Sequence, residues 1–174
     1  MKVANEHIIS LTYELRDPDR SDELLERMDA NYPFVFLYGS GKLLPAFEGH
    51  LLGLEEGDRF DFILSPEEAY GPIQPANILR LSRKDLQLED LMTLESIQPG
   101  NYINLTDDLG QQHQGKILDL DEEYIQVDFN HAMAGKRLRF TGTVLLIRKA
   151  SVDELIRQHY IQEDGIHRDS GENI

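Results

Sequence analysis

The sequence predicts an α+β protein in which extended segments enclose one short buried helix and a small β-rich unit interrupts the chain. Three observations lead there. Phe34, Phe36 and Tyr38 alternate like one face of a strand, Gly39 and Gly41 punctuate, and Leu43, Leu44, Phe47, Leu51 and Leu52 then recur at helical spacing until Gly53 stops the run. A helix of about three turns is marginal in water by itself, so the rest of the chain must wrap it. The second observation is a pair of apolar strand patterns near the two ends of the chain. The third is a stretch beyond Pro72 where short apolar runs and turn residues follow one another closely.

Taken in order, Leu11, Tyr13 and Leu15 alternate with Ser10, Thr12 and Glu14, which makes a half-buried strand with Tyr13 facing in. Asp17 to Asp22 is a turn by composition. Residues 23 to 32 suit either a helical turn, with Leu24, Leu25 and Met28, or a covering loop. After the central helix, Gly57-Asp58 turns into a strand from Arg59 to Leu64 with Phe60, Phe62 and Leu64 on one face. Ser65 is placed to cap a single helical turn that opens with Pro66 and runs toward Tyr70-Gly71. Pro72 to Pro75 marks a boundary.

Residues 76 to 128 read as a separate unit. Ser82 to Asp85 suggests a capping box opening a short helix, and three strands follow, Tyr102 to Leu105, Gln112 to Leu120 and Tyr124 to Phe129, as an antiparallel meander. About fifty residues of this kind bury little surface by themselves. From Leu138 a strand rich in Val, Leu and Ile returns to the first unit, and Ser151 with Glu154 forms the capping box of a final short helix. The expected division is 1–75 with 129–157 as the host, 76–128 as the insert and 158–174 as a fraying tail.

Seventeen basic against 32 acidic side chains give a formal net charge of -15, which argues against nucleic acid, whose phosphates require a basic face. With no cysteine, there is no disulfide, thiolate metal site or thiol nucleophile. Neither a signal-peptide pattern nor a bilayer-length apolar run is present, so the expectation is a cytoplasmic chain without a membrane partner. High like charge makes a monomer the default.

The segment Phe34 to Glu48 resembles the signature of the FKBP-type peptidyl-prolyl isomerases. Ala69-Tyr70-Gly71 and the strand Leu138 to Ile147 fit the same family in the same order. The opening Met-Lys-Val-Ala and the stretch Val127 to Gly135 are similar to its SlyD-like branch, which carries an insert-in-flap chaperone domain. The resemblance implies an FKBP-like curved antiparallel sheet wrapped around the helix. It also implies catalysis of cis/trans rotation at X-Pro bonds of unfolded or partly folded polypeptides, with no cofactor.

That chemistry suits the residues present. Rotation breaks amide resonance, and the twisted amide has less charge separation than the planar one, so a dry apolar pocket favours it without nucleophile or metal. By resemblance, Phe34, Leu43, Leu44, Phe47 and Phe140 line the proline pocket. Tyr13 and Tyr70 stand at its wall and rim, and Tyr70 donates its hydroxyl to the substrate carbonyl. Phe47 occupies the place where many family members carry Trp. The family's acidic residue facing the pocket is assigned to Asp22, with Asp17 and Asp19 as alternatives in register. In the insert, Ile78, Leu79, Leu81, Leu86, Leu88, Leu91, Met92, Leu94 and Ile97 exceed what a small core needs, and the resemblance makes them a holding surface for unfolded chains, Met and Leu being adaptable apolar contacts. His159 and His167 are too far apart to form a metal site by spacing, and His131 reads as a loop hydrogen-bonder. Two other readings are a holdase without catalysis and a metal-binding helper of metallocentre assembly.

Overall fold

The structure is a computed structural model that describes residues 1–84, 97–107 and 109–161. The chain divides into two compact units, one formed by Met1–Gly71 and the chain from Gly135 onward, the other by Pro72–Ala134.

The first unit is built on β1 (His7–Asp17), whose eleven residues are long enough to hold two partners along one edge. β2 (Glu23–Met28) pairs antiparallel with its second half and β3 (Phe34–Leu37) with its first. On its other edge β1 meets β9 (Leu138–Lys149), which in turn pairs with β4 (Arg59–Leu64), giving the order β2-β1-β9-β4. Every pairing is antiparallel, and side-chain alternation assigns Ile9, Leu11, Tyr13 and Leu15 of β1 to the buried face.

Helix α1 (Pro45–Leu51) lies against that face through Phe47 and Leu51, neither of which has any exposed surface. It is shorter than the Leu43–Leu52 run suggests, because Leu44 and Leu52 are flanking residues with extended backbone and Pro45 takes the first helical position, where its missing N–H costs nothing. Glu48 ties the preceding turn to the helix: its side-chain Oε1 accepts from Gly39 N (2.9 Å), and its backbone carbonyl accepts from the Tyr38 hydroxyl (2.9 Å). α2 (Val152–Arg157) has the expected capping box, with Ser151 Oγ accepting from Glu154 N at 3.3 Å and Glu154 Oε2 from Ser151 N at 2.8 Å.

For residues 23 to 32 the helical turn does not form, and the loop is confined to 29 to 32, since Glu23–Met28 is a strand. Glu-Leu-Leu-Glu-Arg-Met has no apolar alternation. It is extended because the unpaired backbone of β1 recruits it, a tertiary effect that outweighs local propensity.

The second unit is a four-stranded antiparallel sheet, ordered β5-β8-β7-β6, from β5 (Ile78–Ser82), β6 (Tyr102–Thr106), β7 (Gln112–Leu120) and β8 (Tyr124–Asp128). The meander is as expected, and β5 joins it as a fourth strand beside β8. Its core is Ile97, Ile103, Ile117, Ile125 and Val127, with Leu81, Leu105, Leu120 and Phe129 packed against them. The helix expected from Ser82 onward, and Leu86, Leu88, Leu91, Met92 and Leu94, lie outside the described residues.

Candidate functional site

Aromatic side chains from four strands and one helix converge above the sheet of the first unit. The Tyr13 ring meets Phe34 edge-on, with centroids 5.6 Å apart and planes at 85°, and Phe140 lies 6.0 Å away. Phe47 of α1 stands edge-on to Phe140 at 5.0 Å and to Phe62 at 5.9 Å, and Phe36 stacks on Phe34 at 5.1 Å. These spacings are the edge-to-face and offset geometries that ring quadrupoles favour. Of the residues expected to line a pocket, Tyr13, Phe34, Leu43, Phe47 and Phe140 are buried, while Leu44 and Tyr70 are half-buried. The rings therefore form a packed aromatic floor, and Leu44 and Tyr70 are the two expected residues that solvent reaches.

Tyr70 follows a 3₁₀ turn, Pro66–Glu68, whose start is held by Glu68 Oε2 accepting from Ser65 N at 2.9 Å. Gly71 N closes the loop on Pro66 O (2.6 Å), and Gly135 N donates to Gly71 O (2.8 Å). Burial and then the negative charge of Glu26 push the Tyr70 hydroxyl above its ordinary pKa, so it stays a proton donor through neutral pH.

The Tyr13 hydroxyl is buried and has no hydrogen-bond partner of good geometry. Burial and the neighbouring Glu26 carboxylate push its pKa strongly upward, which keeps it a neutral phenol. A buried hydroxyl in that condition costs free energy in the folded state, about 1–3 kcal/mol for an unsatisfied group.

Asp22 does not face this cluster. Its carboxylate lies 3.6 Å from Arg139 and 3.7 Å from Arg16, in a chain of ion pairs that continues from Arg139 to Asp61 at 2.7 Å and from Arg16 to Glu14 at 2.9 Å. The alternatives are engaged as well, Asp17 with Lys136 at 3.9 Å and Asp19 with Arg137 at 3.6 Å. The carboxylate on the aromatic side belongs to Glu26, which the sequence reading missed. Register explains its position: Glu26 is opposite Leu15 and Met28 opposite Tyr13, so both share the buried face, whereas Arg27 opposite Glu14 points outward and pairs with it at 3.7 Å. The signal was unreadable without knowing that residues 23 to 28 form a strand.

A groove of about 740 Å³ lies along the same sheet, lined by Thr12, Tyr13, Glu14, Arg27, Met28 and Phe60 among others. Charged and hydroxyl groups such as Glu14, Arg27, Asp61 and Thr143 are mixed with the apolar ones in its lining, unlike the dry medium that amide rotation favours.

In the second unit Leu79 is exposed, Ile78 and Leu81 are half-buried, and Ile97 belongs to the core. Among the described residues, Ile73, Leu79, Tyr102, Leu109, Leu118 and Tyr124 are the exposed large apolar side chains there. His131 Nδ1 accepts from Met133 N (3.0 Å), which assigns the ring proton to Nε2, and burial pushes its pKa down. Among the described residues no three His, Asp or Glu side chains come together in a group able to hold a metal ion, and no helix is long and apolar enough to cross a membrane. His167 lies outside the described residues.

Comparison with known proteins gives concordant results. The family pattern described as FKBP-type peptidyl-prolyl cis-trans isomerase matches residues 1–91. The FKBP-type peptidyl-prolyl cis-trans isomerase SlyD of Escherichia coli (strain K12) is 31% identical over 163 residues, covering 91% of this chain and 77% of the relative. The proteins of the same name from Pasteurella multocida and Treponema pallidum are each 30% identical, over 99% and 89% of this chain and 84% of the relative in both cases.

Proposed function

This chain belongs to the FKBP-type peptidyl-prolyl cis-trans isomerases, and on that premise we propose that it turns X-Pro bonds over the aromatic floor formed by Tyr13, Phe34, Phe47 and Phe140. The convergence of these buried rings beneath a half-buried Tyr70 supports that reading. The enzyme acts on proline-containing polypeptides. Leu43 and Leu44, at the start of α1, complete the apolar side, and the substrate enters past Leu44 and Tyr70. Tyr70, kept protonated, donates to the substrate carbonyl. The rings supply a water-poor surface that favours the twisted amide over the planar one, because the planar form loses more solvation there. Glu26 takes the acidic position at the rim.

The second unit, on this reading, is a chaperone lobe. Its exposed Leu79, Tyr102 and Tyr124 offer contact to an unfolded chain, and among the described residues β5 and β6 are the edge strands of its sheet, to which an extended segment can add. Tethering a client to the chain that carries the pocket raises its effective concentration there. The protein works as a monomer in the cytoplasm and does not bind nucleic acid, a proposal in keeping with its charge of -15 and its lack of cysteine.

A proline-limited refolding reaction, run with catalytic amounts of the protein, tests the assignment. The full chain accelerates it, Tyr70→Ala loses most of the acceleration, and a variant with residues 76 to 128 replaced by a short loop keeps activity on short peptides only. Acceleration unchanged by Tyr70→Ala would remove the pocket from the mechanism. Suppression of aggregation without any acceleration by the full chain would leave a holdase.

A further inference from the structure

We propose that Glu26 makes the pocket selective for clients that carry Lys or Arg beside the proline, an inference that rests on the aromatic floor being the catalytic surface. Three observations carry it. Glu26 shares the buried face of the sheet with Leu15 and Tyr13, so its carboxylate stands on the pocket side of β2. Next to it lies the buried Tyr13 hydroxyl, which feels the Glu26 carboxylate without a hydrogen bond of good geometry and so places that charge at the same wall.

The third is the pattern of ion pairs. Every other acidic residue of β1, β2 and the turn between them has a cation within reach: Glu14 has Arg16 and Arg27, Asp17 has Lys136, Asp19 has Arg137, Asp22 has Arg139, and Glu23 has Arg20 at 4.0 Å. Among the described residues Glu26 alone in this set has none. A negative charge left uncompensated beside apolar rings acts through a lower effective dielectric than one in open water. The cation that would compensate it is supplied by the substrate. A Lys or Arg flanking the proline brings a long apolar stem that can lie along the rings and a charged head that reaches the carboxylate. An acidic residue in the same place meets like charge.

The test uses the full chain and three tetrapeptides that differ only before proline, Leu-Pro, Lys-Pro and Glu-Pro, with kcat/KM measured for each. A partly exposed charge pair of ordinary strength makes Lys-Pro faster than Glu-Pro by about fivefold or more. Glu26→Gln, which keeps size and hydrogen-bonding oxygen while removing charge, brings the Lys-Pro to Glu-Pro ratio toward one, whatever it does to the Leu-Pro value. Asp153→Asn on α2 removes the same unit of charge far along the chain and leaves the ratio as in the wild type. A wild-type ratio near one, or a ratio that survives Glu26→Gln, overturns the selectivity while Leu-Pro turnover keeps the catalytic assignment standing. No turnover of any peptide overturns both.

Discussion

Tyr13 brings the conflict between stability and function down to one oxygen atom. Its ring packs against Phe34 and Phe140, yet its buried hydroxyl lacks a partner of good geometry. If the hydroxyl is kept for the substrate, Tyr13→Phe raises the unfolding free energy by about 1 kcal/mol, since it removes an unsatisfied polar group without opening a cavity. The same change lowers kcat/KM on an X-Pro peptide by roughly fivefold, about 1 kcal/mol of transition-state binding. Urea denaturation and peptide kinetics on one preparation check both. A variant that is less stable than wild type would mean the hydroxyl is already satisfied in the fold. Glu26 makes a different point at this scale. Nothing in Glu-Leu-Leu-Glu-Arg-Met says which glutamate faces inward, because the answer is a matter of strand register.

At the scale of the element, β9 is the strand on which the first sheet depends, since it pairs with β1 on one side and β4 on the other. Its Gly142 sits between Tyr13 of β1 and Phe60 of β4 in register. A Cβ there would collide with the Thr12 carbonyl oxygen and come within 2.5 Å of the Phe60 ring. The ring occupies the space a side chain would have taken, and the backbone oxygen cannot move aside without disturbing the ladder. Gly142→Ala therefore costs about 2 kcal/mol of stability, a typical penalty for overpacking, read as a lower urea midpoint at unchanged slope. An unchanged midpoint would show that β9 can shift at this position. Gly115 of β7 has a similar arrangement in the second unit, where Val127 and Phe129 cover it.

Across the whole molecule the acidic surplus sets the behaviour in acid, and Glu154 is where it bears on the fold. Burial would raise its pKa, but the paired Arg148 guanidinium at 2.6 and 2.8 Å and the amides of Ser151 and Ile161 outweigh that and hold it down to about 2. These contacts tie α2 to β9. Because the folded pKa lies below the ordinary carboxylate value, the stabilisation is fully present above about pH 5 and is lost as pH falls toward 2. A shift of this size corresponds to about 2–3 kcal/mol. Thermal unfolding followed from pH 7 to pH 2 should show that loss, and Glu154→Gln should show a flatter decline from a lower starting stability. Parallel curves for the two chains would place the acid sensitivity elsewhere.

Much of this architecture was legible beforehand because it is written in local patterns. Alternation in β1 and β4, the Val, Leu and Ile content of β9, the apolar run of α1, the cap at Ser65, the box at Ser151 to Glu154, and the meander of the insert all rest on interactions between near neighbours or on side-chain pattern. The aromatic set was legible as well, through its order along the chain. The rest was decided by pairing across distance. β2 is a strand because β1 offers it a ladder, and β5 joins the insert because β8 does the same. Asp22 turns to Arg16 and Arg139 because those arginines arrive from other strands, and Glu26 turns to the tyrosines because it is opposite Leu15. By itself the sequence determined which segments are apolar, where they begin and end, and which rings are available. The tertiary structure alone decided which face each charged residue occupies, since a one-residue change of register in an edge strand reverses that face and leaves the local pattern untouched.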